Sequence, residues 1–502
     1  MVRKLIFIVA GVALLLAVCV GAFVVPRWPF RENDLKQRIA AATGSTAEFG
    51  GFRQVFFPSP GCVIEKVTLT PKDPGHPKVQ IQKLVINGLY SGLIGQEKHL
   101  HSLELVGLRV VFPPRGEQKE DGQDSGAQSS DIHFDEIRAQ NSQIVFPGDA
   151  KHPETESYDI YQLLLKDYSP GKAIHFNSVL RIPEPPAEVE IAGDFGPYSS
   201  NDPGAAPLSG SFTMKHADLS KFHAFTGTLT AQGKFEGKLG ALKVNAVTNA
   251  PEFGLTDTGH AIPLRTDFSA LVNGTNGDIK FEPVHALLGE TKLGAQGQLA
   301  SDPTGHGKLL TVDISSDEAR IQDLMYLFVH AKAPLQGATR FQAKVRLPND
   351  SRPFEERVEM KAHFGIKGSH FTAAKTQQKV GELSASARGN PKDDDPPTVV
   401  TDLLGDVDLK NGTAAFSRLS LRVPGASAVL HGNYKLESHA VDLHGTLQTD
   451  VKLSKATTGF KAFLMKVVEA AKAKKKEGAT VPVKVSGTYE KPEFGLDATS
   501  EK

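Results

Sequence analysis

Residues Arg340-Phe341-Gln342-Ala343-Lys344-Val345-Arg346-Leu347 carry an apolar side chain at every odd position and a polar one at every even position. Successive side chains leave a strand on opposite sides, so a period of two marks a strand with one dry face and one wet face. The alternation returns at Leu443, Leu447, Val451 and Leu453, set against His444, Thr446, Gln448, Asp450 and Lys452. It returns again at Val481, Val483 and Val485, and at Leu419, Leu421 and Val423. Turn dipeptides such as Asn273-Gly274, Asn276-Gly277 and Asn411-Gly412 punctuate these runs at hairpin spacing. At about twelve residues per strand and turn, this texture predicts on the order of thirty strands. Open twisted sheets rarely pass about ten strands without curling or splitting. Two arrangements stand open at this point: apolar faces closed on each other as sandwiches, or a long antiparallel sheet curled into a groove.

Composition narrows the function. The 502 residues include 57 basic and 57 acidic side chains, a net charge of zero. Nucleic-acid binding needs a basic surface to neutralise phosphates, and no such excess exists. A hydrophobic fraction of 40% and a charged fraction of 23% are those of a folded chain. Two cysteines make neither a disulfide framework nor a thiolate metal centre. Cys19 lies in an apolar run, and Cys62 alone reads as a small apolar side chain.

Leu5 to Val25 is an uncharged run of 21 residues behind Arg3 and Lys4, with Trp28 just beyond it. At about 1.5 Å per residue a helix of this length crosses roughly 30 Å of hydrocarbon. The run is longer than the apolar core of a cleavable leader, so residues 1–25 are expected to form a single-pass membrane anchor. Residues 26–502 are expected on the side away from the cytoplasm.

Three helices are predicted among the strands. Asp34 caps the first, which carries Leu35 and Ile39 and ends at Gly44. Residues 317–331 set Ile321, Leu324, Met325 and Phe328 on one stripe. From Gly459 to about Lys476, Phe460, Phe463, Leu464 and Val467 oppose Lys472, Lys474, Lys475 and Lys476. This last helix either caps the open end of the sheet or sets its lysines against anionic headgroups or a partner. Residues 113–131 and 390–397 lack an apolar stripe and read as linkers. The expected division is therefore an N-terminal α+β unit at 26–112, a flexible linker at 113–131, a middle β-groove region at 132–390, and a C-terminal β unit at 398–502.

Local motifs for chemistry are absent: there is no Gly-x-Ser-x-Gly elbow, phosphate loop, dinucleotide fingerprint or His-Glu-x-x-His helix. His99 and His101 share one side of a strand, but two ligands do not make a metal site and no third stands close in sequence. Asp406-Val-Asp408-Leu-Lys410-Asn411-Gly412 is not a calcium loop, because Lys410 repels the ion and the glycine falls one place late. It reads as a strand entering an Asn-Gly turn. The expectation is a chain that is no enzyme and carries no metal or cofactor.

The order of several degenerate motifs adds a resemblance. Near the N-terminus stand Phe56-Phe57-Pro58-Ser59-Pro60-Gly61, Val67-Thr68-Leu69 and Leu103-Glu104-Leu105-Val106-Gly107-Leu108. The middle holds Gly233-Lys234-Phe235-Glu236-Gly237 and Pro251-Glu252-Phe253-Gly254-Leu255. The end holds Gly445-Thr446-Leu447, the Lys-rich helix, Val481-Pro482-Val483-Lys484-Val485-Ser486-Gly487-Thr488 and Pro492-Glu493-Phe494-Gly495-Leu496. In this order they resemble the AsmA-like family of bacterial envelope proteins. The resemblance implies an inner-membrane anchor, a body in the periplasm and a hydrophobic β-groove that carries phospholipid, in support of outer-membrane lipid balance. An outer-membrane protein or lipid is the implied partner. The rival reading is an assembly factor or scaffold for outer-membrane proteins. Periodicity nominates Phe341, Val345, Leu347, Leu443, Leu447 and Val451 as groove lining, and core packing accounts for each of them equally well. Phe460, Phe463, Lys472, Lys474, Lys475 and Lys476 are the candidates for membrane or partner contact.

Overall fold

The computed structural model describes residues 31–73, 75–89, 98–114, 132–148, 155–169, 171–199, 202–222, 225–256, 260–303, 307–328, 332–350, 352–388, 399–449, 479–488 and 491–497. The expected anchor, Val451, the Lys-rich helix with its six contact candidates, and most of both expected linkers lie outside these residues. Among the described residues no helix is long and apolar enough to cross a membrane.

The protein is mainly β, with few short helices. Helix α1 (Glu32–Thr43) precedes strands β1 (Ser45–Glu48), β2 (Gly51–Val55), β3 (Gly61–Pro71), β4 (Lys78–Gly88) and β5 (Lys98–Val111). Then come β6 (Ile132–Phe146), β7 (Glu156–Tyr168), β8 (Ile174–Pro183), β9 (Pro186–Phe195), β10 (Pro207–Asp218), β11 (Phe225–Thr226) and β12 (Thr228–Lys238). They are followed by β13 (Ala241–Leu255), β14 (Ile262–Asn273), β15 (Asp278–Leu288), β16 (Thr291–Ser301) and β17 (Lys308–Arg320). Helix α2 (Ile321–Tyr326), β18 (Leu335–Pro348), helix α3 (Phe354–Arg357), β19 (Glu359–Phe371) and helix α4 (Ala374–Ala387) come next. The last strands are β20 (Thr401–Lys410), β21 (Thr413–Val423), β22 (Ala426–Lys435), β23 (Val441–Thr449), β24 (Ala479–Gly487) and β25 (Pro492–Leu496). The chain divides into two compact units. The first takes residues up to Phe222 with 228–248 and 269–279, and the second takes the remainder.

In the first unit β1 and β2 pair with opposite ends of β3, through Ser45↔Pro71 and Val55↔Gly61. Antiparallel pairing continues through β4 to β5 and from β6 through β10 to β12. Between them β5 and β6 run parallel, with Leu103 beside Ile137. That departs from the antiparallel expectation, for a physical reason. A parallel neighbour requires the chain to return the length of the strand, and residues 112–131 supply that return where a hairpin would use about two to five.

Every second side chain of these strands points into one dry layer. Ile64 and Ile137 are 0% exposed, and Tyr158, Phe134 and Leu105 are 1–2% exposed. Helix α1 adds Leu35 and Ile39 to the layer. It stops where Gly44 takes a left-handed φ of 59°, as its sequence predicts. Asp34 lies inside the first turn and is not the cap; Arg31 holds that place without a side-chain bond. Glu32 and Asp34 instead complement the positive end of the helix.

In the second unit strands β16 to β25 pair antiparallel in chain order. The helix expected over 317–331 is shorter than its pattern. Residues 317–320 complete β17, with Ala319 and Arg320 paired to Thr339 and Ala338, so the ladder takes their backbone groups. The remaining six-residue α2 is pinned through buried Asp323, which accepts from Thr291 Oγ1 at 2.9 Å and Glu290 N at 3.1 Å. Phe328, expected on the buried stripe, is 58% exposed. Helix α4 has a weak apolar stripe and is held by polar pins instead. Gln377 donates to Val399 O at 2.8 Å and accepts from Phe371 N at 2.9 Å, and Ser384 donates to Pro424 O at 2.7 Å.

Sealing of the first unit's dry face sets its stability. Ile64→Ala leaves a hole in that layer and is expected to cost about 2–5 kcal/mol. Lys83→Ala, on the wet side of β4, should stay within about 0.5 kcal/mol of the parent. Urea unfolding followed by circular dichroism separates the two, and equal shifts would contradict a sealed layer.

Candidate functional site

The register of the second unit builds one continuous apolar row across its strands. Ala343 of β18 stands opposite Ile314 of β17 and Ala362 of β19. Ile314 in turn opposes Ala295 of β16. On the other side Ala362 opposes Val407, Val407 opposes Phe416, and Phe416 opposes Gly432 of β22. Two residues along each strand lie the flanking rows. One sets Phe341 against Phe364 and runs on through Gly405 and Leu419. The other sets Val345 between Val312 and Met360 and runs on to Leu409.

Side-chain size then shapes the surface. Ala295, Ala343, Ala362 and Gly432 are short, Ile314, Val407 and Phe416 in the same row are larger, and the rows of Phe341 with Phe364 and of Val345 with Met360 flank them. A concavity of about 1150 Å³ follows this row from Val284 of β15 to Gly432, and the polar neighbours Lys344, Lys361, His363, Asp406 and Asp408 also line it. Seven strands from β16 to β22, spaced at about 4.8 Å, make it roughly 29 Å long. No side chain in the floor row carries a polar group. Gly432 is required at its place: its φ is +141°, and a Cβ there would lie 2.1 Å from Asp442 O. A Cβ on Gly405 would strike the Phe364 ring at 2.4 Å, so that glycine makes room for the ring in the flanking row.

Of the residues nominated by periodicity, Phe341 and Val345 are half-buried in the rows that flank the apolar row, and neither is among the residues lining the concavity. Leu347 is half-buried further along the same face, opposite Leu310. Leu443 continues the floor row beyond Gly432, but it is 8% exposed, and Leu447 is 6% exposed. Both belong to a packed cluster with Val423, Leu430, Val481 and Ala387 of α4. Ala343 stands in the alternating run but was not nominated as lining, and Ala362 and Gly432 were not singled out because small residues carry a weak apolar signal. Their common phase was the available signal.

The polar residues that alternate with this row are ion-paired, and Lys361, His363, Asp406 and Asp408 among them line the concavity too. His363 Nδ1 meets Asp406 Oδ1 at 2.6 Å, Lys361 meets Asp408 at 3.3 Å, and Arg346 meets Glu359 at 3.1 Å. Exposed pairs of this kind contribute only about 0–1 kcal/mol each. The Asp406–Gly412 stretch is the end of β20 and a turn with φ of 48° at Asn411 and 68° at Gly412.

A second polar group lies in the first unit. Parallel pairing of β5 with β6 brings Asp135 between His99 and His101. His99 Nε2–H donates to Oδ1 at 2.5 Å, and His101 Nδ1–H donates to Oδ2 at 2.9 Å. Burial pushes the Asp135 carboxyl up, but hydrogen bonds and charge from His101 and His99 outweigh it and hold the group below the ordinary carboxylate range. His133 packs edge-on at 6.4 Å from His99 and is hydrogen-bonded to Ser169. Among the described residues no three ligating side chains stand in a metal-holding arrangement. Cys62 is 0% exposed, and burial raises its thiol to about 12.

Two outcomes follow from these groups. A carboxyl held lower in the folded than in the unfolded chain adds stability above its ordinary pKa of about 3.9, and loses it as pH falls through the folded value. Asp135→Asn should therefore destabilise the chain at neutral pH, and the difference should vanish in acid unfolding titrations as pH drops below that range. Cys62 should resist a thiol reagent at pH 8 until the protein is unfolded, as absorbance assays can follow. Compared with known protein families, curated proteins and solved structures, the chain matches none.

Proposed function

We propose that the chain is a membrane-anchored carrier whose second-unit groove holds the acyl chains of a phospholipid, serving lipid transport or envelope lipid balance. The observation that carries this reading is the concavity that follows one continuous apolar row, Ala295, Ile314, Ala343, Ala362, Val407, Phe416 and Gly432, across the strands. A lipid leaving a bilayer exposes its chains, and each buried CH₂ is worth about 0.8 kcal/mol. One acyl chain reaches about half of a roughly 30 Å hydrocarbon core, so a groove of about 29 Å receives it in full. Alternating Ala, Val, Ile and Phe recognise length and greasiness rather than a particular chain. The uncharged run at 5–25 and the motif order resembling the AsmA-like family favour the same reading, with the anchor in an inner membrane and the body in the periplasm. No catalytic step is required of any residue, and outer-membrane lipid or protein is the partner at the receiving end.

The test is the lipid content of the purified full-length chain. Ala343→Trp together with Ala362→Trp fills the floor and is expected to lower bound phospholipid about tenfold or more by mass spectrometry, a loss of about 1.4 kcal/mol or more. Lys367→Trp, exposed on β19 and outside the concavity, should leave it unchanged. Lipid content that ignores the filled floor would overturn the carrier. A photo-crosslinker at position 345 that captures protein and never lipid would favour the scaffold instead.

A further inference from the structure

The loop at 56–60 joins β2 to β3 and carries Phe57 at 86% exposure and Phe56 at 57%. Among the described residues Phe57 is the most exposed large apolar side chain. The loop is not a loose tip. Val55 pairs with Gly61 below it, Pro60 is buried, and Gly88 N donates to Pro60 O at 2.7 Å. The fold therefore holds an aromatic pair out into the surroundings, where water is a poor solvent for it. Exposed apolar groups on a rigid support mark a surface that meets something else.

The position of α1 says what that is. Its C-terminal end is tied to the far end of β3, where Lys72 N donates to Gly44 O at 3.3 Å. About two turns earlier, Lys36 lies 5.2 Å from the ring of Phe49, whose neighbour Gly50 is bonded to Glu65 at mid-strand. The helix thus runs back along β3 toward the Gly61 end, and its first residues point to the end that bears Phe56 and Phe57. Residues 26–31 separate the apolar run from Glu32. At about 3.3 Å each they reach roughly 20 Å, enough to cover the remaining length of β3. Exposed Arg31 and Arg53 add cationic side chains to the same end of the unit.

We propose that the Phe56–Phe57 loop is a membrane-contact element, seated in the headgroup and upper acyl region of the phospholipid bilayer that residues 5–25 enter. Phenylalanine side chains of surface-bound elements bury at the headgroup–acyl boundary, and neighbouring arginines meet anionic headgroups there. The two contacts together orient the first unit against the bilayer, which a single flexible tether does not. The inference rests on the anchor reading of residues 5–25 and is separate from the groove.

Trp28 is the single tryptophan, so Trp28→Phe with Phe57→Trp places one reporter at the loop tip. The full chain is reconstituted into phosphatidylcholine–phosphatidylglycerol vesicles, with or without phosphatidylcholine brominated near the top of its acyl chains. Bromine is expected to lower the emission of this loop reporter about twofold or more, as for an interfacial indole. Trp28→Phe with Tyr161→Trp, on the wet side of β7, should stay unquenched. A chain that floats with vesicles while the loop reporter ignores bromine would overturn the loop contact and leave the anchor standing. A chain that fails to float would remove the anchor and the loop contact together, while the lipid content of the groove variants is read independently. Emission that shifts with protein concentration and not with bromine would assign the loop to a second copy or another protein, again overturning the bilayer.

Discussion

Everything in the second unit depends on keeping the phase of alternation constant from strand to strand. A one-residue slip would turn each apolar side chain to the wet face and break both surfaces at once. The register achieves this even where the sequence is out of phase. Phe416 and Leu419 are three residues apart, an odd separation, yet both lie on the apolar face. The extra residue is absorbed as a bulge, visible in the shift from Phe416↔Gly432 to Leu419↔Leu430. The same bulge leaves Arg418 opposite Asp406 on the wet side. A second bulge between Ser316 and Ala319 keeps Ile314 in the floor while β17 bends toward α2.

Given a constant phase, side-chain volume decides whether an apolar face is a core or a groove. The first unit fills its face with Phe134, Tyr158, Leu105 and Ile137, none more than 2% exposed. Protein interiors close to crystal-like density when the available side chains permit it. Along the middle of β16 to β22 the in-phase residues are mostly alanine, valine and glycine, and the space above them stays open. The same pattern of polar and apolar positions therefore yields two different surfaces within one chain.

This explains which features were legible beforehand. Alternation at Phe341–Leu347 and the Asn411-Gly412 turn depend on neighbours in sequence, and both read correctly. So did Leu35, Ile39 and the glycine stop of α1. The meeting of His99, His101 and Asp135 depends on a parallel pairing, which the antiparallel texture of the rest concealed. Residues 317–320 carry a helical stripe locally, but β18 offers their backbone a ladder, and the ladder wins. Helix α4 escaped notice because Gln377 and Ser384 hold it by hydrogen bonds to loops far along the chain. Leu443 and Leu447 share their period with Phe341 and Val345, and nothing local distinguishes a packed leucine from a lining one.

The contrast between those two pairs defines where the groove stops. Phe416, Leu419 and Leu421 pack against the cluster that contains Leu443, Leu447 and Val481, and Ala387 and Val380 of α4 join it from above. The helix therefore packs over the rows nearest Leu447, while Ala343, 7% exposed, and half-buried Ala362 lie at the concavity. Buried Gln377 bonds to Val399 on one side and Phe371 on the other, so lifting α4 would strand two backbone groups and an amide at once. A cover fastened in that way is a fixed wall rather than a swinging lid. The concavity runs across the strands along the alanine row, with α4 and its cluster at one flank.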